Sequence, residues 1–228
     1  LTLPEAQMTL VERLQETGKP VVLVLVEGRP RVITPIVEKT NAVVMAYLPG
    51  NEGGIAIADV LMGNCNPSGK LPFTYPRHVN DLVCYDHKPL VQFSENSYNP
   101  LYPFGHGLSY TTFKYENLKV SNAVKSGENI KVEVTVTNGG EMDGKETVEL
   151  YLSDLVRSVS PPVKQLKRFK KIHLKTGESK TVTFTLQEED LSFYGREGKF
   201  IVEPGEFKVT CGNLSEIVVL TRERVLNI

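Results

Sequence analysis

The 228-residue chain has no tryptophan, three cysteines and four histidines, and its 26 basic and 27 acidic side chains leave a formal charge of −1. Each scarcity excludes something. Cys65, Cys84 and Cys211 lie far apart without metal-ligand spacing, and three thiols cannot all pair. They read as small buried hydrophobes kept reduced, and neither a disulfide framework nor a zinc site is expected. So small a net charge provides no global positive field for a nucleic acid or an anionic membrane. The longest apolar run, residues 21–26, falls far short of the roughly 20 residues of a spanning helix. No phosphate loop or Ser-His-Asp arrangement stands out. The chain opens Leu1-Thr2-Leu3-Pro4 without an initiator methionine or a charged-then-apolar leader, so any targeting segment is expected to lie outside it.

What is present is a globular composition, 40% hydrophobic and 23% charged, which predicts a packed core and two ordinary domains or one large one. The two halves follow different periods. In the first, Pro4 opens a helix with Leu10, Val11 and Leu14 on one stripe, and Gly18 stands where a C-terminal cap belongs. Residues 21–26 and 42–47 are continuous and β-branched rather than alternating, as in strands buried on both faces of a parallel sheet. Thr34-Pro35 starts a short helix through Lys39, and residues 53–63 form another with Ile55, Ala58, Val60 and Leu61 apolar. Two parallel strands and three helices do not close an α/β domain, so further strands are expected upstream.

From about Tyr115 the period becomes two. Ile130, Val132, Val134 and Val136 alternate with polar residues, as do Val148, Leu150 and Leu152; Val182-Phe184-Leu186 and Phe207-Val209-Cys211 continue the pattern. Turn clusters separate them at Asn138-Gly139-Gly140, Thr176-Gly177-Glu178 and Glu203-Pro204-Gly205. About seven short strands in this span predict an immunoglobulin-like sandwich, and without tryptophan or a paired cysteine, a fibronectin type III-like one. Between the halves, residues 86–113 are rich in Pro, Gly and aromatics, among them Tyr98, Tyr102, Phe104, Tyr110 and Phe113. They predict a stiff strap rather than a floppy linker.

The stretch Pro49-Gly50-Asn51-Glu52-Gly53-Gly54-Ile55-Ala56-Ile57-Ala58-Asp59-Val60-Leu61, then Asn66-Pro67-Ser68-Gly69-Lys70-Leu71-Pro72, resembles the C-terminal signature of glycoside hydrolase family 3. Pro103-Phe104-Gly105-His106-Gly107-Leu108-Ser109-Tyr110-Thr111-Thr112-Phe113 resembles that family's strap, and Gln165-Leu166-Lys167 with Phe169 and Glu203-Pro204-Gly205-Glu206-Phe207 its fibronectin type III-like domain. The resemblance implies an α/β plus all-β chain. Residues 1–85 would be the C-terminal part of the α/β sandwich domain, 86–114 the strap and 115–228 the fibronectin type III-like domain. It further implies a retaining β-glucosidase with no cofactor, secreted or periplasmic and bacterial-type. Its nucleophile would be an Asp of an N-terminal barrel, and its acid/base a Glu upstream of Leu1. The partners implied are a β-linked glucoside or oligosaccharide, the barrel and the other sandwich half, with no nucleic acid and no membrane span.

Retaining hydrolysis requires two carboxyl groups about 5–5.5 Å apart, and substitutes within the chain are few. Glu27 and Glu52 both follow predicted strands, on the edge where α/β sheets place ligands. Glu52 is the better substrate-site candidate, although a Glu entering a helix equally favours the helix dipole. By the resemblance Tyr85 and His87 pass near the active-site mouth and are candidates to touch a sugar; His106 reads as a neutral side chain packed in the strap. Lys164, Lys167, Arg168, Lys170, Lys171 and Lys175 read as a solvated face or edge guard. Asn213-Leu214-Ser215 is a glycosylation sequon. The catalytic residues are therefore expected outside this chain. The alternatives are a non-catalytic carbohydrate-binding or protein-interaction module, with Tyr151 and Tyr194 as exposed rings, or a parent β-xylosidase.

Overall fold

The structure is a computed structural model and describes residues 1–81, 84–89, 98–121, 123–124, 127–221 and 224–225. The chain is mixed α/β followed by all-β, and it divides into two compact units. The first comprises Leu1–Cys65, Lys70–Cys84 and the described part of residues 94–106; the second comprises Asn66–Gly69, the described part of residues 85–93, and Gly107 onward.

In the first unit, helix α1 (Glu5–Gln15) starts directly after Pro4, whose carbonyl accepts from the Gln7 and Met8 amides. It stops before Gly18, which takes φ +71, a conformation that glycine adopts without a Cβ penalty. Strands β1 (Val22–Leu25) and β2 (Ala42–Met45) pair in parallel, with Val22 opposite Ala42 and Leu25 opposite Met45. Between them α2 (Thr34–Val37) is shorter than the sequence predicts. The Lys39 and Thr40 amides bond three residues back, to Ile36 and Val37, and this tighter turn ends the helix. After β2 comes α3 (Gly53–Leu61). The core is Leu3, Val11, Leu25, Ile33, Ile36 and Tyr75.

The first unit corrects two expectations. The strands are not buried on both faces: Leu25 is buried, but Val22 is 45% and Val26 59% exposed, because a two-stranded sheet has little to cover its second face. Along α1 Val11 is buried and Met8 packs against the core, while Leu10 and Leu14 face solvent, as do Ile55 and Leu61 of α3.

The second unit is a fibronectin type III-like sandwich. Its strands are β3 (Phe113–Val120), β4 (Ala123–Val124), β5 (Ile130–Asn138), β6 (Gly144–Asp154), β7 (Gln165–Leu174), β8 (Ser179–Leu186), β9 (Phe193–Tyr194), β10 (Phe200–Val202), β11 (Gly205–Cys211), β12 (Leu214–Leu220) and β13 (Arg224–Val225). A one-turn helix, α4 (Glu188–Leu191), precedes β9. The sheets run β4-β12-β11-β6-β7, β3-β5-β8 and β13-β10-β9. The alternation read from the sequence is the burial pattern: Val132, Val134 and Val136 of β5 are buried with Val148 and Leu150 of β6 and Val209 of β11. Two odd-numbered positions of β6 differ from one another: Tyr151 is 8% exposed, with the Tyr85 ring and the Lys164 ammonium packed on it, while Glu149 stays partly open.

Buried Asn138 closes one end of this sandwich. Its side-chain oxygen accepts from the Thr111 hydroxyl at 2.6 Å and the Gly140 amide at 3.2 Å, and its amide nitrogen donates to the Met142 and Leu174 carbonyls at 2.8 and 3.2 Å. Cys211 lies in the core, where burial pushes its thiol up to about 12. Cys65 and Cys84 are exposed, correcting the expectation that all three cysteines are buried; both sit in irregular segments rather than on a core-facing strand.

Candidate functional site

Parallel sheets place ligands beyond the carboxyl ends of their strands, and in the first unit that edge carries two acidic residues. Glu27 follows β1. Its side chain is 10% exposed and accepts from the Arg31 amide at 3.2 Å, with the Arg31 guanidinium 3.9 Å away. Tyr75 stands 3.5 Å from the same carboxylate and donates its hydroxyl proton to the Arg31 carbonyl at 2.7 Å. Burial first, and then the Glu27 charge, push the Tyr75 phenol up, so it remains a neutral donor. Glu27 is thus engaged in a structural network. Periodicity gives no sign of Tyr75 or Arg31 as its partners, since both are brought in by loops.

After β2 the chain turns sharply. Tyr47 has φ +55 and Gly50 φ +70, and Glu52 follows as the N-cap of α3. Glu52 is exposed and makes no side-chain capping bond. Tyr47 packs its ring edgewise against Phe73 at 6.3 Å, and burial raises its phenol. A tyrosine in the left-handed region costs about 1–3 kcal/mol. That conformation is typical of Gly and Asn and leaves no signal at a Tyr in the sequence.

A cavity of about 760 Å³ lies alongside α1 and β1, lined by Leu3, Gln7, Val11, Leu23, Arg29 and Glu27 among others. Among the described residues of its lining Glu27 is the one carboxylate. No group of three His, Cys, Asp or Glu side chains among the described residues is placed to hold a metal ion.

The other candidates separate. Glu52 belongs to the first unit, and Tyr85 and His87 to the second. The Tyr85 hydroxyl accepts from the Leu166 amide at 3.3 Å, and its ring meets Tyr151 edgewise at 6.3 Å. The His87 carbonyl accepts from the Val163 amide at 2.8 Å. Both residues are half-buried. Lys164 lies 4.6 Å over the Tyr151 ring, and Tyr151, 8% exposed, offers no open platform. Tyr194 does remain open, 61% exposed and edge-to-face with Phe200 at 5.4 Å. In the first unit His106 stacks on Tyr102 at 4.8 Å, and burial with the nearby Lys70 charge lowers its pKa, leaving it neutral at pH 7.

Comparison with known proteins places this geometry. Residues 1–110 match the glycosyl hydrolase family 3 C-terminal domain, and residues 146–215 the fibronectin type III-like domain. The chain is 46% identical to the lysosomal β-glucosidase of Dictyostelium discoideum, the alignment covering 93% of this chain and 27% of that protein. It is 42% identical to the periplasmic β-glucosidase of Salmonella typhimurium, covering 93% of this chain and 30% of that protein. Among solved structures, the β-glucosidase of Listeria innocua in complex with glucose superposes with a TM-score of 0.91 at 36% identity, over 96% of this chain and 33% of that one. The chain therefore spans about a third or less of the length of these proteins.

Proposed function

Because the chain belongs to glycoside hydrolase family 3 as a β-glucosidase-like C-terminal region, we propose that it is the C-terminal part of an enzyme that hydrolyses β-linked glucosides with retention. The observation that carries this reading is the alignment with the Dictyostelium β-glucosidase, which takes in 93% of the chain at 46% identity but 27% of that protein. The nucleophile and the acid/base belong to the remainder of the enzyme, and this portion supplies a wall of the active site and supports it. Three observations favour that division. The cavity holds one carboxylate where retaining chemistry requires two. That carboxylate, Glu27, is tied to Arg31 and Tyr75. The apolar faces of α1 and α3 are open and suited to being covered by other parts of the enzyme.

Within this reading Glu52, Tyr85 and His87 approach the sugar from the edge of the site, and residues 1–85, 86–114 and 115–228 act as sandwich portion, strap and fibronectin type III-like support. The enzyme is exported, secreted or periplasmic and of bacterial type, in keeping with the periplasmic β-glucosidase of Salmonella. No helix among the described residues is long and apolar enough to cross a membrane. The test is an aryl β-glucoside assay on the 228-residue chain and on the longer enzyme that contains it. The chain alone is expected to show no turnover and the longer enzyme to release the aglycone; an aryl β-xyloside in parallel separates a xylosidase. Turnover by the chain alone that disappears in Glu52→Gln would overturn the proposal.

A further inference from the structure

Charge is distributed very unevenly in a chain whose net charge is −1. Residues 155–177 contain no Asp or Glu, while residues 164–175 hold six of the 26 basic side chains. Most of these twelve residues form β7, the terminal strand of the five-stranded sheet. Three of the cations are committed to the fold: Lys164 covers Tyr151, Lys167 is partly buried, and Arg168 makes a two-pronged bond to Asp190 at 2.8 and 2.6 Å. The rest face water. Lys170, Lys171 and Lys175 are exposed and have no salt bridge among the described residues, and neither has Lys145, which is exposed on β6 opposite His173.

Phe169 lies in the middle of these cations and is 68% exposed, directly opposite Glu149. Phe169, Lys171 and His173 share the outward face of β7 at a spacing of about 7 Å per pair of residues. An edge strand guarded against aggregation carries lysines and avoids a large open aromatic ring. Lysines alone would therefore read as a guard, but lysines arranged around an open phenylalanine make a recognition surface, with a ring face for stacking and cations for carboxylates.

We propose that the outward face of β7 and the adjoining part of β6, centred on Phe169 with Lys171 and Lys145, binds a uronate-bearing polysaccharide chain. A sugar ring packs on the phenyl face while its carboxylates meet the ammonium groups, a basic patch of the kind that retains acidic glycans. The choice of a glycan over other polyanions rests on the glycosidase reading above. It also rests on the single ring, because single-stranded nucleic acid is held by a series of stacking aromatics. The surface would hold the enzyme on an acidic polysaccharide independently of its chemistry.

The test is affinity electrophoresis of the 228-residue chain in gels containing polygalacturonate or neutral laminarin, at low salt and at about 1 M salt, where charges are screened within about 3 Å. Retardation is expected with polygalacturonate at low salt only. Affinity should fall about tenfold in K145E/K171E, from two exposed ion pairs, and about fivefold in Phe169→Ala, from one aromatic contact. Lys208→Glu on β11 should leave it unchanged. Circular dichroism verifies the fold of each variant. Absence of retardation, retardation indifferent to the charge reversals, or equal binding to duplex DNA or phosphatidylserine vesicles would each overturn the proposal. Because the gel measures binding alone, a longer enzyme inactive on β-glucosides would refute the proposed activity without touching this result.

Discussion

The two units use similar aliphatic side chains to opposite effect. In the fibronectin type III-like unit eighteen described side chains form one buried cluster, many of them without exposed surface; in the α/β unit the corresponding cluster has six. The reason is architectural. Alternating strands give each sheet one apolar face, and two sheets cover each other without outside help. A parallel pair with apolar residues on both faces needs cover on both sides, and here Leu10, Leu14, Val26, Ile55 and Met62 remain open. An apolar pattern thus records where burial is required, while the neighbours present decide whether it happens.

The comparison is tested most strongly by truncation. Leu150→Ala, at a position with no exposed surface, is expected to destabilise the second unit by about 3–4 kcal/mol in urea unfolding; Leu10→Ala, 58% exposed, should stay within about 0.5 kcal/mol. Similar losses at the two sites would erase the distinction. Asn138→Ala should cost the second unit about 3 kcal/mol, because two hydroxyl or amide donors and two carbonyl acceptors lose their partner at once.

Next in size is a pH effect confined to the second unit. Asp154, half-buried beside Arg157 with Glu203 nearby, is raised from 3.8 to about 6, by burial above all. Its folded-state pKa lies above its unfolded value, so its contribution is fully present below pH 3.8 and is lost as the pH rises through 6. The second unit should lose on the order of 2–3 kcal/mol between pH 4 and 7 from this group, and Asp154→Asn should flatten that slope in unfolding scans. An unchanged slope would show that Asp154 is not the group responsible. The open apolar faces of the first unit are expected to promote self-association, and Leu10→Lys with Met62→Lys should reduce it in sedimentation velocity. The smallest effect belongs to the exposed Lys131–Glu133 pair at 2.6 Å, where Lys131→Ala should cost under about 0.5 kcal/mol.

Legibility followed the range of the forces involved. The period of two along Ile130, Val132, Val134 and Val136 is local, and the structure reproduces it residue by residue. The family motif around Pro49 to Leu61 was equally readable, being a continuous string. The surroundings of the candidate residues were not. Glu27 is held by Tyr75, 48 positions away, and Tyr85 meets Leu166 across 81 positions; no spacing rule reaches so far. The burial of Tyr151 also escaped the pattern, since Tyr85, 66 positions away, and Lys164 cover its ring from outside the strand.

From sequence alone came the division into an α/β part and an antiparallel β part, most of the strands, and the family, because backbone preference, side-chain period and linear motifs are properties of neighbouring residues. The tertiary structure alone decided that Glu27 is tied into a network with Arg31 and Tyr75, that Tyr85 and His87 pack with the β-sandwich, and that Lys171 of β7 and Lys145 of β6 share a face with an open ring. Those outcomes depend on which distant segments meet, and on whether enough surface meets to exclude water.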